Sequence, residues 1–489
     1  MSKLFVFGIG GTGSRVLKSL TMLLQSGVKT GVDEIVPMVI DKDETNGDLV
    51  RTKRMIENYI NTRDKFVVKD GEFFSTQMSL INDELCLQLV DKKKKFSDYI
   101  DLAKLSEPNQ AIVEALFSKS SLAMETTEGF RGVPSIGSVV LNQFEDSDIF
   151  EEFAKRFQPG DKIFIISSIF GGTGASGFPL LTKTLRGDST LTGWNYVQNA
   201  PLGAVSVLPY FIVGKPNEEG KVNVDSDTFS DKAKAALDYY AQSLDRELDN
   251  LYYVADQKYS HYKYSAGGKD QENQAQITEM LAALSIVDFS FNGARGNRTV
   301  YKEFGIINPQ KNGTEIVFTD LHDDTKKILC APLVQFYVFS QYMRLMFDKQ
   351  NAHQPWSHNY PWKKAMNFDK AFKQSEAARA LSECIDNFSN WLIELDDKSV
   401  HTHRFSPFNL ESITYAFVKG ESDDIAVNNP DFRYKNWAWM DNTLNSYCTS
   451  KELQVSESLT KEQRFLELFY RASLKFVQEI VPNSKDWFN

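Results

Sequence analysis

Cysteine and histidine are scarce in this chain, with four and six among 489 residues. Cys86, Cys330, Cys384 and Cys448 lie far apart with no paired spacing, which argues against a disulfide framework and a cysteine-built zinc site. His401 and His403 stand two apart in a His-Thr-His triplet, but no carboxylate or cysteine cluster accompanies them, so they are not read as metal ligands. No apolar run reaches the roughly 18–20 residues of a membrane span. The opening MSKLFVFGIGG enters a strand directly, with neither the h-region nor the cleavage site of a signal peptide. Positive charge is in deficit: the net charge of −10 argues against a dominant nucleic-acid surface, and the Lys92–Lys95 run reads as a solvated helix face. Repeats and low-complexity tracts are absent as well. These absences leave a cytoplasmic globular protein as the expectation.

What is present fits that expectation. Hydrophobic residues make up 42% and aromatics 12%, enough for large cores, and the length suggests two or three domains at about 150 residues each. The stretch that organises the chain is Ile163–Pro179, IFIISSIFGGTGASGFP. A β-branched run breaks into Gly171, Gly172, Thr173, Gly174, Ala175, Ser176 and Gly177, and helix-compatible sequence resumes at Pro179. Strand, glycine loop and helix in that order favour an anion, because glycines admit a ligand to the backbone and the helix start adds unpaired N–H groups and its dipole. A plainer reading also stands: such turns occur simply to let a helix pack closely on a sheet.

The same plan opens the chain. Lys3–Phe7 is a short strand, Gly8-Ile9-Gly10-Gly11-Thr12-Gly13 the loop, and Ser14–Gln25 a helix by its apolar spacing. Alone this nearly matches the dinucleotide fingerprint, with Asp41 and Asp43 ending the next strand where a ribose-binding carboxylate would sit, so an NAD-dependent oxidoreductase is one reading. Residues 46–125 read as a charged helical insertion at the sheet edge. A third glycine-containing loop, Glu128–Ser138, carries Arg131, Gly132 and Pro134; Arg131 either reaches a phosphate or is a surface cation. Gly203–Gly214 reads as a buried strand, Ser226–Leu248 as an amphipathic helix, Asn250–Ala255 as a strand and Asn273–Phe289 as a strongly periodic helix. Beyond Gly293 a strand pair is expected at Val300–Ile307 and Glu315–Thr319 around the turn-like Gln310–Gly313. An ordered loop at Asn351–Trp362 and long helices at Thr325–Phe347, Asn367–Leu395 and Thr460–Val481 complete the reading. Alternating β and α elements predict a parallel sheet with helices on both faces.

Three glycine loops on successive strands, the richest in mid-chain, resemble the tubulin and FtsZ superfamily. Its G-G-G-T-G-[TS]-G signature, followed by proline in FtsZ-type chains, is matched by Phe170–Pro179, and the first glycine loop by G-I-G-G-T-G-S-R. Asp41-Lys42-Asp43 sits at that family's acidic turn, and Leu208–Gly214 matches its Pro-aromatic strand end. The resemblance covers roughly residues 1–293.

It implies a nucleotide-binding GTPase-like domain over 1–268, a core helix over 269–293 and a divergent, mostly helical C-terminal domain over 294–489. It further implies that Gly10, Gly11, Thr12, Gly13, Asp41, Asp43, Gly171, Gly172, Thr173, Gly174, Ala175 and Ser176 surround GTP or GDP with Mg²⁺, and that the Arg131–Pro134 loop approaches the γ-phosphate. Asn273 falls where the family places a base-reading side chain, and equally suits an N-cap. Head-to-tail filaments with hydrolysis at subunit junctions are the family's habit. The acidic loop that completes the neighbour's site keeps only Asp288 here, with Phe291 at the last carboxylate position and Phe170 and Ser176 replacing signature glycines. Asp288 is thus either catalytic or a helix-end residue. A non-polymerising nucleotide switch, or a scaffold subunit of a larger bacterial complex such as a defence system, is the alternative to a filament.

Overall fold

The computed structural model describes residues 2–67, 72–87, 95–126, 130, 133–213, 229–244, 246–256, 260–262, 268–304, 315–347, 361–365, 368–409, 417–419, 432–449 and 458–481. Its centre is a seven-stranded sheet built from β1 (Lys3–Ile9), β2 (Glu34–Ile40), β3 (Gln77–Met78), β4 (Lys162–Ser168), β5 (Leu202–Val207), β6 (Asn250–Val254) and β7 (Val300–Glu303). The spatial order is β3-β2-β1-β4-β5-β6-β7, and every pairing is parallel. The chain therefore builds outward from β1 in one direction, returns, and builds outward from β4 in the other. The topological switch lies between β1 and β4.

The main helices are α1 (Gly10–Gln25), α2 (Gly47–Phe66), α3 (Asp148–Arg156), α4 (Gly172–Arg186), α5 (Ile277–Asn292), α6 (Asp323–Phe347), α7 (Glu376–Leu395) and α8 (Lys461–Ile480). They cover both faces of the sheet. On one, Phe5 and Phe7 of β1 meet Phe153 of α3 edge to face, at 5.1 Å each. On the other, Phe164 of β4 meets Phe289 of α5 at 5.3 Å. Burial on both faces explains why these strands are continuous apolar runs rather than alternating ones.

α1 is buried nearly all round, Arg15 and Lys18 included, because it lies between the sheet and the C-terminal half. Trp391 of α7 donates its indole N–H to Ser19 Oγ at 3.2 Å, and Gln25 donates to the Cys384 carbonyl at 2.9 Å. One contiguous apolar core runs through both halves.

Several expectations are corrected. Both glycine segments are helix rather than loop: α1 begins at Gly10 and α4 at Gly172, with Pro179 inside α4. The expected strand over 203–214 stops at Val207, and Phe211–Val213 forms a separate short strand paired with Ser260–Tyr262; Gly214 lies outside the described residues. The expected strand pair after Gly293 is no hairpin. Val300–Glu303 joins the main sheet as its edge, and Glu315–Ile316 pairs in parallel with Arg404–Phe405. Residues 305–314 and 351–360 lie outside the described residues. The segment read as a helical insertion also supplies β3. A further helix, Phe432–Thr449, was not anticipated.

Candidate functional site

At the carboxyl ends of β1 and β4 two helices start side by side. Neither has a side-chain cap or an acidic residue in its first turn, so their leading N–H groups open toward the crevice without a side-chain partner. Gly10 takes φ +69°, the left-handed conformation that favours glycine, and a Cβ on it would lie 3.3 Å from Thr173 Cβ. The two glycine segments therefore touch. Ligands of open α/β sheets bind in this position, outside the carboxyl ends at the switch point.

The remaining glycines divide by role. A Cβ at Gly13 would stand 2.4 Å from the Gly8 carbonyl carbon, at Gly174 2.5 Å from the Ser168 carbonyl oxygen, and at Gly177 2.9 Å from Ile9 Cγ2. Those three let α1 and α4 sit on the strands, as the plainer reading required. Gly11 is different, since its Cβ would meet only Arg15 Nη1 at 3.4 Å and Gln271 Nε2 at 3.9 Å.

The other expected residues are distributed as follows. Ser176 Oγ donates to the Gly172 carbonyl at 2.7 Å and is spent inside α4, and the Ala175 carbonyl accepts from Tyr240 at 3.2 Å. Pro134 heads the helix Pro134–Val140, which packs on α4 so closely that a Cβ on Gly137 would be 2.2 Å from Ser176 Oγ. Arg131 and Gly132 lie outside the described residues. Asp43 organises backbone: it accepts from Thr45 N at 3.2 Å, Thr45 Oγ1 at 2.9 Å and Gly268 N at 2.7 Å. Asp41 is buried beside it and accepts from Asp43 N at 3.2 Å. Burial, assisted by the Asp43 charge, pushes the Asp41 carboxyl up to about 7.

Asn273 is not the helix cap. Gln276 takes that place, its N–H held by Glu279 Oε2 at 3.2 Å, while Asn273 donates from N and Nδ2 to Asp48, both at 2.9 Å. Asp288 sits near the far end of α5, where Lys162 at the start of β4 bonds the Ser290 carbonyl at 2.8 Å. That is the opposite end of the strands from the glycine segments, so the structure does not bring Asp288 to them. Its carboxylate accepts from Lys302 at 2.7 Å, Asn292 at 2.7 Å and Tyr252. Burial alone would raise its pKa, but these bonds outweigh it and hold the group below the ordinary carboxylate range.

Sequence reasoning missed the group that braces the site. Arg15, 3% exposed, donates to Glu279 at 2.6 Å, Asp48 at 3.0 Å, Tyr210 at 2.9 Å and Thr12 at 3.2 Å, while Tyr210 donates to Glu279 at 2.9 Å. α1, α2, α5 and the strand end after β5 are thereby locked together. The available signal was an arginine and a lysine, Arg15 and Lys18, embedded in an otherwise apolar helix. Glu394 of α7 adds a second brace, accepting from Lys18 at 3.1 Å, Ala275 N at 2.8 Å and Arg51.

No protein-family model and no curated protein matches this sequence. Solved structures do match in part. CetZ from Methanosaeta thermophila strain DSM 6194 is 18% identical, over 53% of this chain and 46% of its own, with a TM-score of 0.26. CetZ2 from Haloferax volcanii, a GTPγS-bound protofilament, is 16% identical over 59% of each chain, TM-score 0.29. An empty FtsZ dimer from M. jannaschii is 18% identical over 52% and 45%, TM-score 0.25. The chain thus spans about half the length of these structures. The overlap at these scores is slight. The chain has an α/β domain with a parallel sheet covered by helices on both faces, continued by a helical C-terminal half.

Proposed function

We propose that this protein binds a guanine nucleotide, with the phosphates seated on the N-termini of α1 and α4. The observation that carries the reading is the pairing of two uncapped, glycine-led helix starts at the sheet's switch point. Each helix start contributes about 0.3–1 kcal/mol to an anion at an exposed site, and more where the group is partly buried. Guanine rests on the motif resemblance, because Asn273 is engaged by Asp48. Among the described residues no group of three His, Cys, Asp or Glu side chains could hold a metal. A Mg²⁺ ion accompanying the nucleotide would be held chiefly by phosphate oxygens and water.

A second reading, a non-polymerising nucleotide switch or scaffold subunit, is favoured by Asp288. A carboxylate that completes a neighbour's site must be free to orient water, and this one is bound to Lys302, Tyr252 and Asn292. Phe291, 51% exposed, stands where the family's last carboxylate would be. Losing a general base typically costs 10²- to 10⁴-fold in rate.

Thr173→Glu tests the binding site cleanly. A carboxylate in the first turn of α4 favours the helix dipole, so folding is retained, while it repels a phosphate. Binding of a fluorescent GTP analogue is expected in the wild type and lost in the variant; unchanged binding would overturn the site. A GTP-dependent rise in light scattering would favour assembly over the switch.

A further inference from the structure

The turn that follows β2 and the segment that leads into α5 are tied together beside the start of α1. Asn46 caps α2, and its side-chain Oδ1 accepts from Asp48 N at 3.0 Å and Leu49 N at 3.3 Å. Two backbone donors on one atom identify that atom as the oxygen, so the other end of the amide, Nδ2, must donate. It donates to Gln271 Oε1 at 2.9 Å. The Gln271 amide is oriented in its turn, with Oε1 toward Asn46 and Nε2 on the other side.

The backbone of Gln271 is fixed as well. Its N–H donates to the Gly268 carbonyl at 3.1 Å and its carbonyl accepts from Asp48 N at 3.0 Å, while Gly268 N donates to Asp43 at 2.7 Å. The approach is close: a Cβ on Gly47 would stand 2.8 Å from the Lys269 carbonyl oxygen and 3.0 Å from that of Gln271. With so much of the residue held, its one unused group has a definite place. Nε2 makes no hydrogen bond among the described residues, and it lies 3.9 Å from the point a Cβ on Gly11 would occupy. Arg15 Nη1 lies 3.4 Å from the same point. Gly11 belongs to the uncapped first turn of α1, and both it and Gln271 are half-buried, so a ligand can reach the spot. Arg15 is already bound to Asp48 and Glu279, which leaves Gln271 as the side-chain donor still to be used. An amide donor, a guanidinium and leading helix N–H groups on one spot complement an anionic oxygen.

We infer, building on the nucleotide reading of this crevice, that Gln271 is a direct contact of the nucleotide, donating from Nε2 to a phosphate oxygen seated on the start of α1. Asn46 is the positioning residue that aims it. The turn after β2 thus acts on the ligand through Gln271 rather than by touching it.

Calorimetric titration of the full chain with GDP tests this. Gln271→Met keeps the length of the side chain and removes the donor, and is expected to weaken GDP binding about tenfold or more. Gln271→Glu sets a carboxylate against the phosphate and is expected to weaken it about a hundredfold. A carboxylate would accept from a ribose hydroxyl, so retained affinity in Gln271→Glu would overturn the phosphate contact. Asn46→Asp preserves the cap on α2 but replaces a donor by an acceptor, so the Gln271 amide turns round and presents its oxygen. It is expected to lose about tenfold in the wild-type background and nothing further in the Gln271→Met background. Equal losses in both backgrounds would overturn the positioning role, because they would report only the added charge. Gln271 lies outside the helices, so its variants decide the contact even if Asn46→Asp fails to fold. A wild type that binds no GDP would overturn the nucleotide reading and this contact together. A wild type that binds GDP, with Gln271→Met binding it as tightly, would overturn this contact alone.

Discussion

The side chains that matter most around the site are engaged with each other. Arg15 is balanced by Asp48 and Glu279, and its burial makes the arrangement costly to break from one side. Removing one partner of a buried ion pair costs about 3–5 kcal/mol, because the remaining charges have no water to turn to. Arg15→Met is expected to lose that much in urea unfolding, and Arg15→Lys is not expected to restore it, since an ammonium lacks the planar fork that reaches four acceptors. Asp41 gives a pH test. Its folded pKa, about 7, stands above the ordinary 3.8, so the folded state holds a proton that the unfolded chain releases. Stability on this account is greatest below pH 4 for this group and declines as pH rises toward 7. The wild-type thermal midpoint is expected to fall between pH 5 and pH 8, and Asp41→Asn should flatten that fall. A wild-type midpoint that rises over that range, with Asn at 41 making no difference, would show that the carboxyl is not buried in this way. Cys86, whose thiol bonds the Asp41 carbonyl and is itself pushed up by burial, does not titrate in this window.

At the level of elements, the glycine-led helices α1 and α4 join two requirements. They must lie close on their strands, which Gly13, Gly174 and Gly177 permit, and they must leave their N-termini open. Gly174→Ala would push a methyl to 2.5 Å from the Ser168 carbonyl. Such overpacking costs about 1–3 kcal/mol, and a matching drop in urea midpoint is expected; an unchanged midpoint would mean α4 stands further from β4. Alternating strand and helix patterns made the parallel sheet and the core helix legible in the sequence. The helix starts were not, because glycine is a poor helix former and a run of glycines reads as loop until a strand is seen to need the close approach. The edge strand Val300–Glu303 escaped for a related reason. A local turn pattern suggested a hairpin, whereas the partner, Asn250–Val254, lies fifty residues away. Arg15 and Asn273 illustrate the limit at the site itself: their types were visible, but their partners come from other elements far apart in sequence.

Across the whole molecule, the C-terminal half is built onto the sheet domain through α7. Glu394 is the joint, reaching Lys18 on α1, Arg51 on α2 and the backbone just before α5. Burial works against its charge, yet the two cations hold its pKa below the usual range. Glu394→Gln leaves Lys18, 1% exposed, without a counter-charge, and a loss of about 3 kcal/mol is expected in denaturant unfolding. Retained stability would mean that α7 is held by apolar packing alone. Because the same joint touches α1, one of the two helices whose starts form the crevice, nucleotide binding and the seating of α7 should be linked, with bound nucleotide slowing proteolysis of the C-terminal half.

The paired starts of α1 and α4 are proposed to hold a nucleotide. The most direct measurement is to denature freshly purified protein and identify what is released by chromatography, in the wild type and in Thr173→Glu. Guanine nucleotide released by the wild type and absent from the folded variant is the expected result. A wild type that releases none and does not bind added GTP would contradict the account and leave the glycines as packing devices alone.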